Sequence, residues 1–491
     1  MSRILHIFRK DAIRLWPQAS VFLALLALNG WADRRYAPFE PPRPLSFLPF
    51  LLPIACSVLL VALVHEEGLV GDGKYWLSRP IPRRQLLGAK ILFALVFINV
   101  PLGLYQAAII VAAGLPLSQN WINLLCLQLF FTAVDILPVT ALAAVTKNMV
   151  QTILVALTTV ALIVAASSFD WSNNVNAAPD ISWISSTIAS AILALVAFAV
   201  LTLQYFRRAT TLARLILTSA IPAVVLAAAL PYAVQWAIQM RLSPQQVEPS
   251  AVRISWLPEG GRVPRRSGDW AANPDFSEVE IPIRIDNLPP GASLNIEAIQ
   301  PIAKAPSGAA WRPGWTRAEI HETPSATFAR IYVDSKFLQR VKDTPIHLYG
   351  VMDLTLLLTV QPLPLPVARP VPVPGIGNCF MYPNRPGAQP RTVFSCNSTL
   401  PAARIVVVVN GVEQNSSGSA VAPYPSSPGY SPLAFVIWNS LINGQALPMN
   451  TQPIELRLEV QKPIAYIQRP FDFQNIRLSD YAFEPPNRLK Q

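Results

Sequence analysis

Apolar and polar residues alternate in two different ways along this chain, and the change comes near residue 240. Before it, apolar residues run together in seven long stretches, at roughly residues 13–32, 45–64, 87–114, 121–146, 149–166, 183–206 and 213–236. Most reach the ~20 residues that a helix needs to cross ~30 Å of hydrocarbon. The fifth, MVQTILVALTTVALIVAAS, is the shortest, and its lack of any charge makes it a span rather than a buried core helix. Ahead of the first stretch, RILHIFRKDAIRLW puts Ile4 or Leu5, Phe8, Ala12 and Leu15 on one helical face with Arg3, Lys10 and Arg14 largely off it. That pattern predicts a helix lying in the inner leaflet over residues 1–16. No A-x-A cleavage site follows before Asp33, so a cleaved signal peptide is not expected.

After residue 240 the runs shorten. EVEIPIRID (278–286), IELRLEV (454–460) and IAYI (464–467) show the period of two of half-buried strands. RIVVVVNG, AFVIWN and MDLTLLLTV are denser, as inner strands are. Turn signals such as PPG, PSSPG and NG lie between them, and SKFLQRVKD (335–343) predicts one short helix. Prolines at 362, 364, 366, 370, 372 and 374 forbid helix and interrupt any central strand, which makes 362–374 the best internal boundary. The expected architecture is an α-helical polytopic membrane domain over 13–240, six spans plus a seventh, followed by a mainly β, sandwich-like extracytoplasmic domain over 241–491.

Composition sharpens this. Of 491 residues 52% are hydrophobic and 14% charged, too apolar for an ordinary soluble enzyme. The net charge of +11 raises nucleic acid as a partner until the charges are placed. One set of span ends carries Arg3, Arg9, Lys10, Arg14, Lys74, Arg79, Arg83, Arg84, Lys90, Lys147, Arg207, Arg208 and Arg214; the other carries only Arg34, Arg35 and Arg43. Because short cytoplasmic loops retain Lys and Arg, the N-terminus is expected inside and everything after about residue 237 outside. The basic balance is therefore an orientation signal of an inner-membrane protein, and nucleic-acid binding is not expected.

Four cysteines cannot make a disulfide-dense scaffold. Cys56 and Cys126 fall inside spans, whereas Cys379 and Cys396 fall in the outer half, where they are free to oxidise; closing that loop would contribute roughly 3 kcal/mol. The sequons at Asn397 and Asn415 matter only in a host that glycosylates. His6, His65, His321 and His347 are too scattered to form a metal motif, and the outer half shows no Ser-His-Asp or paired-acid constellation. No catalytic residue, metal or cofactor is assigned to this chain.

Candidate chemistry lies in the loop HEEGLVGDGKYWLSRPIPRRQLLGAKILF, His65 to Phe93. Gly68, Gly73 and Lys74 satisfy G-x-x-x-x-G-K, but Tyr75 stands where a phosphate loop needs Ser or Thr, and the segment follows a span rather than a buried strand. Nucleotide binding here is excluded on both counts. Glu66 and Glu67, adjacent acids at a span's inner end, are available to Arg79, Arg83, Arg84 or to a partner, and Trp76 offers an interface anchor. The bland alternative is that the acids solvate a helix end and Trp76 sits in the headgroup belt.

This loop resembles the cytoplasmic linker of type-2 ABC-transporter permeases, in which acids ending the second span are followed by a glycine, a W-L-S-R-P-I-x-R phrase and L-L-x-A-K leading into the third. Here these are Glu66, Glu67 and Gly68, then Trp76 to Ile81 with Arg79 and Pro80, Arg83, and Leu86 to Lys90. The likeness is specific over about 28 residues and extends in organisation over roughly residues 1–210. It implies a coupling helix docking on a separate ABC ATPase subunit, which would hold ATP and magnesium, and a homodimer or paired permease in the lipid bilayer. The seventh span and the outer domain depart from that family, and the substrate is open. A different class, a membrane-anchored receptor or binding module that transports nothing, stays beside it.

Asp135, in LFFTAVDILPV, lies near the middle of the fourth stretch. An acid at that depth is a candidate pathway residue, for proton or substrate. Pro138, three residues on, offers the alternative that Asp135 satisfies backbone freed by a kink.

Overall fold

The computed structural model describes residues 2–36, 47–66, 83–112, 115–168, 181–243, 252–258, 275–316, 318–322, 327–364, 371–373, 377–382, 392–398, 404–409, 412–414, 434–442, 445–446 and 456–482; between 359 and 460 the description is of backbone. The first half is helical: α1 (Ser2–Arg14), α2 (Trp16–Tyr36), α3 (Leu48–His65), α4 (Arg83–Ala94), α5 (Val100–Ala112), α6 (Leu117–Phe131), α7 (Leu137–Val145), α8 (Met149–Ser168), α9 (Ser182–Thr202), α10 (Thr210–Ala228) and α11 (Tyr232–Leu242). Every apolar stretch therefore carries helix. Among the described residues four helices are long and apolar enough to cross a membrane, Arg84–Ala112, Asn120–Val145, Trp183–Arg207 and Thr210–Ala228, and a fifth is gained if α1 and α2, bent by 71°, count as one. This corrects the expected six plus one. The apolar parts of α3 and α8 are shorter, and the last stretch breaks after Ala228, so that α11 starts afresh behind Pro231.

Two of the long helices share a device. The π turn Leu95–Asn99 joins α4 to α5 just ahead of Pro101, and the π turn Thr132–Ile136 joins α6 to α7 just ahead of Pro138. A proline ring clashes with the carbonyl four residues back, and a widened turn at that point relieves the clash without breaking the helix. The anticipated kink at Pro138 is thus absorbed as a π turn.

Packing follows helical spacing. Leu15, Ala19, Phe22 and Leu26 on one side, and Leu52, Cys56, Leu59 and Leu63 on the other, meet in a core completed by Phe93, Ile98, Leu102, Phe131 and Ile136. Ile7, Leu86, Ala89 and Tyr205 bring together α1, the start of α4 and the π turn Leu203–Arg207 that ends α9. Val61 and Val64 meet Ala143 and Ala144, with Met149 and Leu201 against them. The helix ends flanked by basic residues are thereby gathered at one end of the bundle. At the other end of α9, Ile181 packs with Tyr232 and Trp236 of α11.

The second half forms three sheets. The four-stranded one runs in the order β1 (Arg253–Trp256), β2 (Phe276–Asp286), β6 (Thr327–Asp334), β5 (Ala318–Glu322). The six-stranded one runs β12 (Val412–Gln414), β11 (Arg404–Val409), β15 (Leu456–Ile476), β7 (Ile346–Pro364), β3 (Ala292–Lys304), β4 (Ala310–Trp311). The five-stranded one runs β14 (Gln445–Ala446), β13 (Ala434–Ile442), β10 (Thr392–Ser398), β9 (Gly377–Tyr382), β8 (Val371–Val373). A single core draws Val279, Ile281, Ile331 and Val333 from the four-stranded sheet and Ile296, Leu348, Leu354, Ile467 and Phe473 from the six-stranded one. The β region is shown as sheets sharing this core; the finer expectation of a sandwich is not. The short helix falls where expected, α12 (Ser335–Arg340), its first turn capped by Asp334 accepting from the Phe337 N–H at 2.8 Å.

The proline run does not stop β7, which reaches Pro364 opposite Arg457. By then β3, whose pairing ends at Leu358, has left the other side of the strand, so among the described residues Pro362 and Pro364 face no partner strand on that side. IELRLEV and IAYI, expected as two strands, belong to the single strand β15, with a register irregularity between Pro463 and Ala465.

Candidate functional site

Of the loop that carries the family likeness, Glu67, Gly68, Trp76, Arg79 and Pro80 lie outside the described residues, and Arg83 is described as α4 backbone. Both flanks of the loop are among the described residues, and α1 holds both. Glu66, just past α3, is ion-paired with Arg14. Lys90, in the second turn of α4, is buried, and its Nζ donates to Asp11 Oδ2 at 2.8 Å. Lys90 is therefore not a free cation for a partner. Arg84 is exposed and stacks over Phe206 at 5.9 Å. Behind this lies a hydroxyl and imidazole cluster, with His65 Nε2 2.9 Å from Thr152 Oγ1 and Thr146 Oγ1 2.6 Å from Thr152 Oγ1. Arg214 donates through Nε and Nη2 to the Val145 carbonyl, closing the C-terminus of α7.

Within the spans a chain of amides links α5 to α6. Asn99 Nδ2 donates to Gln128 Oε1 at 3.1 Å and to Thr132 Oγ1 at 2.9 Å, and Gln128 Nε2 donates to Gln106 Oε1 at 2.9 Å. Asn29 of α2 donates to the Tyr105 hydroxyl at 2.7 Å, where Gly30 lets the ring approach the helix. Sequence reading passed over these residues. The signal was present as spacing: Asn99 and Gln106 are two turns apart, and Gln128 and Thr132 one turn, so each pair shares a helix face. Asp135 stands in the same π turn as Thr132, half-buried, with no hydrogen bond or ion pair among the described residues. Thr140 bonds the Ile136 and Leu137 carbonyls at 2.7 and 2.9 Å.

Cys379 and Cys396 are opposite one another in the β9 and β10 register. Their side chains lie outside the described ones, so the expected disulfide is not itself observed; Cys56 and Cys126 are not in a disulfide among the described residues.

A site that sequence reading missed altogether lies where α11 covers one face of the six-stranded sheet. Tyr232 stacks on Trp236 at 6.3 Å and approaches Trp315 at 5.1 Å, while Trp236 meets Tyr466 edge-on at 5.7 Å. Trp183 Nε1 donates to Gln239 Oε1 at 3.1 Å, tying in the start of α9. Beneath the rings are two buried acids on the sheet, Asp353 of β7 and Glu297 at the register shift of β3. Glu297 Oε1 accepts from Asn295 and from Thr355, both at 2.7 Å, and Gln468 Nε2 donates to Asp353 Oδ1 at 2.8 Å. Burial pushes the Asp353 carboxyl up to about 7; the Gln468 bond and the nearby Tyr232 hydroxyl pull it down, and Glu297 pushes it further up.

No family model, curated protein or solved structure matches the chain. Among the described residues no group of histidine, cysteine and acidic side chains is arranged to hold a metal ion.

Proposed function

We propose that the chain is the membrane subunit of an ABC exporter, with the 67–82 loop docking on a separate ATPase subunit that hydrolyses ATP with magnesium. The observation that carries this reading is the double fastening of the loop's two ends to α1, by Arg14 to Glu66 and by Asp11 to Lys90. A force applied to the loop is delivered to the base of α3, to the base of α4 and to the helix lying beside both. On this reading the gathered basic ends face the cytoplasm of an inner membrane, and the β region stands outside. The sheets of that region form a sandwich, and strands β9 and β10 of the five-stranded sheet are joined by a Cys379 to Cys396 disulfide. Two copies, or two paired permeases, complete the pathway. Asp135 and the amide chain beginning at Thr132 lie along it, since an unpartnered acid at that depth is sustained by contact with water or cargo.

The test is co-purification with a co-expressed ABC ATPase. Full-length protein should retain the ATPase, and Trp76→Ala with Arg79→Glu should lose it, while Asp135→Asn retains it. An ATPase held equally well by the loop variant would remove the coupling role. A chain that binds no ATPase, and whose outer region captures a ligand with the spans inert, would favour the membrane-anchored receptor.

A further inference from the structure

Asp353 is fully buried in mid-strand, on the face of β7 that α11 covers. Gln468 of β15 donates to Oδ1; the Tyr232 hydroxyl of α11, itself 2% exposed, stands near enough to favour the ionised acid, but neither it nor Oδ2 completes a hydrogen bond of good geometry among the described residues. Glu297, which the register shift of β3 brings to the same face, opposes any charge on Asp353. Among the described residues no lysine or arginine pairs with Asp353 to offset that charge, and Thr355 on its own strand is engaged with Glu297. The rings of Tyr232, Trp236, Trp315 and Tyr466 pack directly on one another, so an organic cation has no place among them. A proton does.

We propose that Asp353 is a proton-binding site whose occupancy sets how firmly α11 is docked on the β region. The protonated acid is neutral and supplies an O–H donor at the otherwise unpartnered oxygen, beside the Tyr232 hydroxyl. The ionised acid sets a second negative charge next to Glu297 beneath an aromatic cover, where water cannot screen it. The carboxyl is raised to about 7 when docked, against roughly 4 for an exposed aspartate. An acid whose pKa is raised in one state favours that state at low pH. Docking is thus fully supported below about pH 4 and weakens up to about tenfold per pH unit until the pH passes about 7. Because α11 follows directly on the break at the end of α10, such weakening would loosen the β region from the helix that leads to it. The inference rests on the fold alone and stands whether or not the chain transports.

Hydrogen–deuterium exchange of the α11 peptide tests it, on full-length protein in lipid nanodiscs between pH 5 and 8.5, with times scaled for the chemical exchange rate. The wild-type protection should fall as pH rises and level off near 7, the midpoint of the docked acid's titration. Asp353→Asn should hold the low-pH protection throughout, and Glu297→Gln should move the midpoint down by removing the opposing charge. Wild-type protection that does not change with pH, or a wild-type profile kept by Asp353→Asn, would overturn the proposal. Should Asp353→Asn fail to fold, an unmoved midpoint in Glu297→Gln overturns it and a lowered one supports it.

Discussion

Lys90 Nζ and Asp11 Oδ2 stand 2.8 Å apart, with the lysine side chain 7% exposed and the aspartate not at all, and they join the base of α4 to the amphipathic helix α1. Removing either partner strands the other charge. Asp11→Ala should therefore destabilise the membrane region by about 3–5 kcal/mol, whereas Asp11→Leu with Lys90→Met should recover most of the loss, because neither charge then remains buried. Unfolding of the purified protein monitored for the three variants checks this; equal damage in the double variant would mean that the pair does more than neutralise itself.

Among the described residues Asp135 has no hydrogen-bond or ion-pair partner, and that separates its two readings. Both Asp135→Asn and Asp135→Leu should leave thermal stability within about 1 kcal/mol of the parent, since no bond is lost. Transport should fall in both. A marked drop in stability for Asp135→Leu would return the residue to a structural role.

Gln128 is the middle of the amide chain. Gln128→Leu should destabilise the packing of α5 on α6 by about 0.6–1.7 kcal/mol, the range of interhelical hydrogen bonds in bilayers. Because Asn99 keeps its bond to Thr132, the loss should stay at that level rather than collapse the bundle.

In the β region Gly350 sits opposite Pro301, and a Cβ there would collide with the Gln300 carbonyl oxygen and press on Phe471. Gly350→Ala should lower the stability of the β region by about 1–3 kcal/mol, as overpacking does, and calorimetry should assign the change to that transition.

Directly opposed residues of an antiparallel pair have Cβ atoms about 4.5–5.5 Å apart, close to the span of a disulfide. Given the register of Cys379 and Cys396, peptide mapping of non-reduced protein should find them linked. Two free thiols in protein from an oxidising compartment would contradict the linkage.

The helices were legible because an apolar run of twenty residues has few other fates, and Pro231 alone accounts for the misplaced end of the last one. The π turns were not, since they are the backbone's response to Pro101 and Pro138 and leave no pattern of their own. Strand β3 was missed for a related reason: ASLNIEAIQPIAK carries Glu297, Gln300 and Pro301, residues that argue against an inner strand until α11 is seen to cover one face of the sheet. Glu66 and Lys90 stood out in the sequence as charges of interest, but their partners, Arg14 and Asp11, are 52 and 79 residues away, a distance no local spacing bridges. The α11 junction was invisible for the same reason, as Tyr232, Glu297, Asp353 and Gln468 come from four separate elements.

Sidedness underlies the whole account, because a loop on the wrong side of the membrane cannot meet an ATPase. Ser118, at the start of α6, and Lys147, between α7 and α8, are both exposed and belong to opposite ends of the same span. With the four native cysteines replaced by serine, Ser118→Cys should react with an impermeant thiol reagent in intact cells, and Lys147→Cys should react only after the membrane is opened. Labelling of Lys147→Cys from outside, with Ser118→Cys protected, would place the 67–82 loop outside and contradict the coupling role.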